Sequence, residues 1–284
     1  MKERIFNKHP IDIIDGIPIF SNINEEYIKN YGKISHDHLK AIKEGCENPF
    51  IDPKLWEEME NSTLELIVKY LGKFKQKKKI KILDVGVGLG RLLEKLINKV
   101  ETSYELNLYG LDISLEYLKK AKEKGINVVL SKVEDIPFKK DFFDIIICTD
   151  VLEHVLDLNI AIKNILYTLS SGGILIVRVP NKEDLSSYLD KSCPYFYVHL
   201  RNFDRYSLEL LFTRIFNLNI LEFKYAGYAE VTHLLKYKMP IKGYKYFILG
   251  FGRFLKLINK NYYLSFLKFM FNPVEINCVL MKNE

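Results

Sequence analysis

The residues best suited to chemistry fall in short clusters along the middle of the chain, each an acid or a histidine at the end of an apolar run. The first is Ile82-Leu83-Asp84-Val85-Gly86-Val87-Gly88-Leu89-Gly90, followed by Arg91 and the helix-like Leu92-Leu93-Glu94-Lys95-Leu96-Ile97. An acid and three alternating glycines between a strand and a helix make a turn where a ligand can press against bare backbone. A dinucleotide fingerprint, Gly-x-Gly-x-x-Gly/Ala, needs a small residue at position 91, and Arg91 is not one. A glycine turn kept for packing alone is the plainer alternative.

Three further clusters follow in order. Tyr109-Gly110-Leu111-Asp112-Ile113 ends in a carboxylate able to accept from two neighbouring hydroxyls, or to cap a helix starting near Ser114. Glu134-Asp135-Ile136-Pro137-Phe138 offers acids for an exocyclic amine and an apolar face for a ring, with an ordinary acidic turn as the alternative. Thr149-Asp150-Val151-Leu152-Glu153-His154-Val155 puts two acids and a histidine on one turn. Histidine titrates nearest neutrality, so His154 is a candidate general base, with packing beneath a ligand as the competing role. Later, His199-Leu200-Arg201-Asn202-Phe203 supplies a second candidate base in His199 and an anion anchor in Arg201.

The elements that must position these residues are legible from periodicity. Strands are predicted at 80–85, 107–111, 126–130, 143–148 and 173–179, with helices at 90–99, 114–124 and 157–169. Such alternation implies a parallel sheet with helices on both faces, and ligands at the carboxyl ends of its strands. Residues 21 to 72 read as helical, with Tyr27 and Tyr31 able to form part of a lid. The chain closes with a helix at 205–213 and strands at 218–223 and 276–281. The stretch Ile13–Phe20 resembles a zinc-ribbon hairpin without its cysteines and is read as a β-turn and nothing more.

In order and spacing these segments resemble the successive motifs of class I S-adenosylmethionine-dependent methyltransferases, over about 80–180 and more loosely over 199–225. The resemblance implies an α/β, Rossmann-like fold with a seven-stranded, mostly parallel sheet. Residues 1–76 would form an N-terminal extension and helical cap, and 77–284 the methyltransferase domain. It also implies S-adenosylmethionine as cofactor. Asp84, Gly86, Gly88 and Gly90 would face its methionine part, Asp112 and Ile113 the ribose, and Glu134, Asp135 and Ile136 the adenine. Thr149 and Val151 would complete the cofactor site, and Tyr31, Glu153 and Arg201 would line the substrate. His154 and His199 are the catalytic candidates.

Members of this fold that methylate adenine or glutamine amides usually carry an Asn/Asp-Pro-Pro-Tyr/Phe sequence after the fourth strand. Here Leu152-Glu153-His154-Val155 instead resembles small-molecule members. Transfer to a small or lipid-like metabolite follows, O-methylation first, with C- or N-methylation open. A non-catalytic cofactor-binding partner and an RNA methyltransferase are the rivals.

Composition bounds the remainder. A chain of 284 residues with 48% apolar and 27% charged residues suits one large globular unit with additions. Four separated cysteines, with no Cys-x-x-Cys pair, suggest reduced thiols and no metal site. The first twenty residues are unlike a signal peptide and no apolar run reaches a membrane span, so cytoplasmic residence is expected. Net charge is +6, yet Val231–Val274 contains no Asp or Glu and carries +8, leaving −2 elsewhere. That stretch forms an insertion, about 228–273, before the last strand, both basic and aromatic. It reads as a helical cap, as an interfacial helix on an anionic membrane through 244–271, or as a lid over substrate. Nucleic acid is the least favoured partner, and oligomeric state is not legible.

Overall fold

The computed structural model describes residues 5–46, 51–100, 105–190, 193–227, 244–259, 262–263, 265–266 and 273–283. The sheet is assembled from β1 (Asp12–Ile14), β2 (Ile17–Ile19), β3 (Lys79–Val85), β4 (Glu105–Asp112), β5 (Asn127–Leu130), β6 (Phe143–Thr149), β7 (Leu169–Pro180), β8 (Asn219–Ala226) and β9 (Glu275–Met281). Its spatial order is β1-β2-β5-β4-β3-β6-β7-β9-β8. Strands β3 to β7 run parallel, and β9 inserts antiparallel between β7 and β8. The chain leaves β3 toward β4 on one side and returns to β6 on the other, so a crevice opens at their carboxyl ends.

The sheet holds because its strands are apolar on both faces. In β6, Ile145 and Ile147 face one core while Ile146 and Cys148 face the other, all fully buried. One core is closed by α5 (Leu158–Thr168) and α6 (Arg205–Leu210). The other is closed by α2 (Pro53–Leu71), α3 (Arg91–Lys99) and α4 (Leu115–Glu123). Trimming one such isoleucine to alanine would cost about 2–5 kcal/mol. Helix starts follow local chemistry. Asp52 caps α2 with Pro53 as its first residue, Ser114 caps α4, and Asp157 caps α5.

Nine strands, rather than seven, are present among the described residues. The extra pair is the Ile13–Phe20 stretch, which forms a hairpin and not a lone turn. Asp15 and Gly16 both take positive φ, 51° and 68°, as a two-residue hairpin turn requires. Ile17 and Ile19 then point into the core, and Ile19 pairs with Leu130 of β5. The hairpin and α2 therefore share the sheet and core of the later residues.

Above the carboxyl ends lies α1 (Glu26–Lys43), and α7 (Tyr244–Ile258) lies within the insertion. The insertion's residues 228–243 lie outside the described residues. Among the described residues, no helix is long and apolar enough to cross a membrane.

Candidate active site

A cavity of about 910 Å³ sits at the strand ends, beneath α1 and beside α2. Its floor is the glycine turn after β3. Gly86 N–H and Val87 N–H both donate to Leu111 O, at 2.7 and 3.0 Å, which folds the turn back over β4. The three glycines then divide by task. A Cβ on Gly86 would lie 2.3 Å from Val151 Cγ2, and one on Gly90 would lie 2.7 Å from Ile126 Cδ1. Those two positions are closed by packing. A Cβ on Gly88 would meet nothing within 4 Å, and Gly88 lines the cavity. At φ 50° it is the glycine that leaves room for a ligand. Gly90 does not line the cavity; it begins α3 in the left-handed region with its back against Ala121 and Ile126.

Asp112 ties this turn to the next strand end. Its Oδ2 accepts from Gly88 N–H at 2.9 Å and its Oδ1 from Ser114 N–H at 2.8 Å. The helix cap is Ser114 itself, which frees Asp112 to line the cavity beside Ile113. Burial raises the Asp112 carboxyl above its usual range, and backbone donors at Ser114, Gly88 and Ile113 pull it back. Asp84 lies deeper, 2% exposed, with Oδ1 lacking a partner among the described residues. Burial, with Asp112 nearby, pushes its carboxyl up to about 8, against the pull of Arg178.

At the third strand end, Glu134 lines the cavity and Asp135 does not. Asp135 turns outward to Lys8 at 3.2 Å, and Ile136 is packed into the core under β5. Glu134 Oε1 accepts from Leu156 N–H at 3.0 Å, while its buried Oε2 has no partner among the described residues. The expected pairing of Asp135 and Ile136 with a ring is therefore corrected. Glu134 holds the open acceptor, because the short turn 133–135 rotates its neighbour to the surface.

The fourth strand end carries the densest polar group. Thr149 and Val151 line the cavity on either side of Asp150, a non-glycine residue at φ 56°. That left-handed backbone costs about 1–2 kcal/mol, and the contacts made from it offset the cost. Asp150 N–H donates to Arg178 O at 3.0 Å, and its carboxylate takes both Nε and Nη2 of Arg178. Arg178 is 2% exposed and also stacks within 5.5 Å of Trp56. Burial works against its charge, but Asp150 more than compensates, so it stays protonated.

Beyond it lie Glu153, His154 and His199, with a donor atom from each within 4.8 Å of the others. Glu153 is fully buried, and neither oxygen has a partner on another described residue. Burial, then Asp150, holds its carboxyl well above the usual range. His154 Nδ1 meets the Tyr31 hydroxyl at 2.8 Å. Burial, then His199, pushes His154 down to about 3. His199 Nδ1 lies 2.5 Å from Glu183 Oε2, and Tyr188 also donates to Glu183 at 2.9 Å. Arg201 was expected to line the substrate but does not. Its guanidinium is spent on the carbonyls of Val155 and Leu156, bracing the loop after β6.

Sequence reasoning passed over Arg178, Glu183 and the tyrosines at 188, 195 and 197, all of which line the cavity. Arg178 carried one readable signal: a charged residue inside the otherwise apolar Ile174–Val179 run, where an unpaired charge is untenable.

Nine acidic side chains and four side-chain cations line the cavity, and with Asp84, Glu153 and Glu275 held neutral by burial the other six acids still outnumber the cations. An acidic cavity suits a ligand with excess positive charge and opposes one carrying phosphates. S-adenosylmethionine, with a sulfonium and an ammonium against one carboxylate, fits that balance. The open space at Gly88 and the unpartnered oxygens of Asp84 and Glu134 fit its methionine, ammonium and adenine amine in turn.

Residues 83–177 match the family model described as a methyltransferase domain. An uncharacterized protein of Methanocaldococcus jannaschii is 35% identical over 136 residues, 48% of this chain and 53% of its own length. A ubiquinone biosynthesis O-methyltransferase of Rickettsia canadensis is 28% identical over 173 residues, 57% of this chain and 66% of its own length. The chain spans about half the length of the first curated relatives it matches. Among solved structures, the plantazolicin methyltransferase BpumL, in complex with a monoazolic desmethylPZN analog and S-adenosylhomocysteine, superposes with a TM-score of 0.54 at 17% identity. That superposition covers 91% of this chain and 95% of that one. Residues 83–177 thus match the methyltransferase domain family, and the chain carries them on the fold of solved S-adenosylmethionine-dependent methyltransferases.

Proposed function

We propose that the protein transfers the methyl group of S-adenosylmethionine to a hydroxyl of a small, largely apolar metabolite. The observation that carries this reading is the continuity of one cavity. It runs from the glycine turn, Asp112 and Glu134 to a corner built from His154, His199, Glu183 and Tyr31. The first part suits the cofactor and the second an acceptor with one polar atom. Tyrosines 27, 31, 188, 195 and 197 wall the second part, and such walls suit a ring. A relative at 28% identity is named a ubiquinone biosynthesis O-methyltransferase, which supports a phenolic or quinol-like acceptor.

The cofactor supplies an already activated methyl group on sulfur. The protein's residues then have three tasks. Asp112 and Glu134 fix the nucleoside, and Asp84 neutralises the ammonium. Alignment and exclusion of water follow from α1 closing over the strand ends. His154 is held by Tyr31 and is too weakly basic to be an efficient base near neutrality. Its part is to hold the Tyr31 hydroxyl in place at the edge of the acceptor corner. His199 has one nitrogen anchored on Glu183 and lines the same corner. The acidity of the cavity also weighs against an RNA acceptor.

A separate observation supports a lipid-like substrate. On α7, Phe247, Phe251, Phe254 and Ile258 share one stripe and all are exposed, Phe247 by 68%. Exposed Arg253 and Lys256 supply positive charge on the same helix. Seating four such half-exposed side chains in a bilayer interface would contribute about 3–6 kcal/mol, added to attraction for anionic lipid. We place this protein at the surface of an anionic membrane through that stripe.

The test is turnover of labelled S-adenosylmethionine with a panel of catechols, hydroxyquinols and aliphatic alcohols. Methylated phenol with stoichiometric S-adenosylhomocysteine supports the reading. Tight cofactor binding without transfer to any acceptor class, or to extracted metabolites, would leave the non-catalytic alternative.

A further inference from the structure

Glu153 is the least explained residue of the cavity. A carboxylate wholly out of water is normally paired or hydrogen-bonded, and this one has no partner on another described residue. Arg178 does not serve it, because both arms of that guanidinium that reach this corner are taken by Asp150. What Glu153 does face is two imidazoles. The rings of His154 and His199 stand edge to face with centroids 4.4 Å apart.

Both imidazoles are held from behind. His199 Nδ1 is fixed on the Glu183 carboxylate. His154 interacts with the Val198 backbone as well as with the Tyr31 hydroxyl at Nδ1. A carboxylate or carbonyl behind each imidazole is how metal-ligating histidines are oriented. The three donor atoms lie within 4.8 Å of one another. A cation about 2.0–2.2 Å from each draws three such donors to roughly 3.3–3.8 Å from one another, so side-chain rotations that move the donor atoms by about 1 Å close the set.

We infer that Glu153, His154 and His199 form a binding site for one divalent cation of the manganese or zinc class. Two imidazoles and one carboxylate suit such borderline ions, and three protein ligands leave coordination positions open toward the cavity. The cysteine spacings that argued against a metal tested only thiolate sites; this one needs no thiol. The Tyr31 hydroxyl now occupies the His154 lone pair and swings aside on loading.

The role of the ion rests on the proposed function. An acceptor hydroxyl reaching an open position loses its proton to solvent more readily. Its oxygen then bonds to the methyl carbon as the carbon–sulfur bond breaks, and the electron pair stays on sulfur as a neutral thioether. No oxidant or reductant is needed.

The experiment is calorimetric titration of Mn²⁺ into chelator-stripped protein, since the exposed Cys46 would compete for zinc. Wild type should bind one ion per chain. Glu153→Gln and His199→Gln should each weaken binding at least 30-fold, while His36→Gln, on the exposed side of α1, leaves it unchanged. Crystals soaked in Mn²⁺ should give an anomalous peak within bonding distance of the three side chains. No saturable ion in wild type, equal affinity in the variants, or a peak elsewhere would each overturn the site. Melting curves of Glu153→Gln, which removes an unpartnered carboxylate and should not lower stability, show that lost binding is not lost folding. S-adenosylhomocysteine titrated into the stripped protein separates the two readings. Cofactor binding without the ion leaves methyl transfer standing if the metal site fails, and the converse result does the opposite.

Discussion

Replacing Asp84 with asparagine separates the charge of that residue from its shape. In the free protein its carboxyl is pushed up to about 8, chiefly by burial. Near pH 7 it is therefore mostly protonated, and asparagine is a close mimic. Because the folded-state value lies above the usual 3.8, its stabilising proton is fully held at low pH and is lost as pH rises through about 8. Asp84→Asn should accordingly match wild-type stability near pH 4 and exceed it near pH 8. Cofactor binding should behave oppositely. A ligand ammonium against Asp84 requires the ionised form, so binding releases a proton. If the bound carboxylate is fully ionised, affinity rises about tenfold per pH unit below 8, or about 50-fold from pH 6 to pH 8. At pH 8 the variant also forfeits a charge-assisted hydrogen bond, about 1.5–3 kcal/mol or 10- to 150-fold in affinity. Titration calorimetry with S-adenosylhomocysteine, in buffers of different ionisation enthalpy, reads both affinity and proton release. A wild-type affinity that is flat between pH 6 and pH 8, or an Asp84→Asn variant that keeps the slope, would refute the assignment of Asp84 to the ammonium.

Gly88→Ala should fold, since its methyl meets nothing within 4 Å, losing about 1–2 kcal/mol to the left-handed backbone while binding cofactor at least tenfold more weakly. Gly86→Ala meets Val151 at 2.3 Å and should instead lower the melting temperature sharply; similar melting of the two variants would contradict this division. Asp112→Ala removes the acceptor for Gly88 and Ser114 N–H groups as well as the proposed ribose contact, so cofactor affinity should fall by about 1.5–3 kcal/mol or more. An unchanged dissociation constant would place the ribose elsewhere. Phe251→Ser with Phe254→Ser should abolish sedimentation with vesicles rich in anionic lipid and spare cofactor affinity, and undiminished sedimentation would remove α7 from the interface.

Much of the sheet was legible because it is built from local patterns. Apolar runs such as Phe143–Cys148 announce a strand buried on both faces, and the glycine turn announces a ligand end. What escaped was set by tertiary position. Asp15-Gly16 between two isoleucine pairs is a hairpin signal, yet its partner β5 lies more than a hundred residues away. Whether Glu134 or Asp135 faces the cavity depends on the rotation of one short turn, which adjacent acids do not reveal. Arg201 looked like an anion anchor, but the carbonyls that claim it, Val155 and Leu156, are decided by loop packing. Glu183, Tyr188 and His199 converge from one irregular segment that carries no periodicity at all. The part of the cavity proposed for the cofactor sits on strand ends, where local sequence pattern reaches, whereas the part proposed for the acceptor sits on loops and on α1.

A crystal structure with S-adenosylhomocysteine tests the central claim most directly. The ribose hydroxyls should meet Asp112, the adenine amine Glu134 and the ammonium Asp84. The thioether sulfur should then point toward the corner of His154, His199 and Glu183. A ligand bound away from Gly88 and Asp112, or with its sulfur facing away from the two histidines, would contradict it.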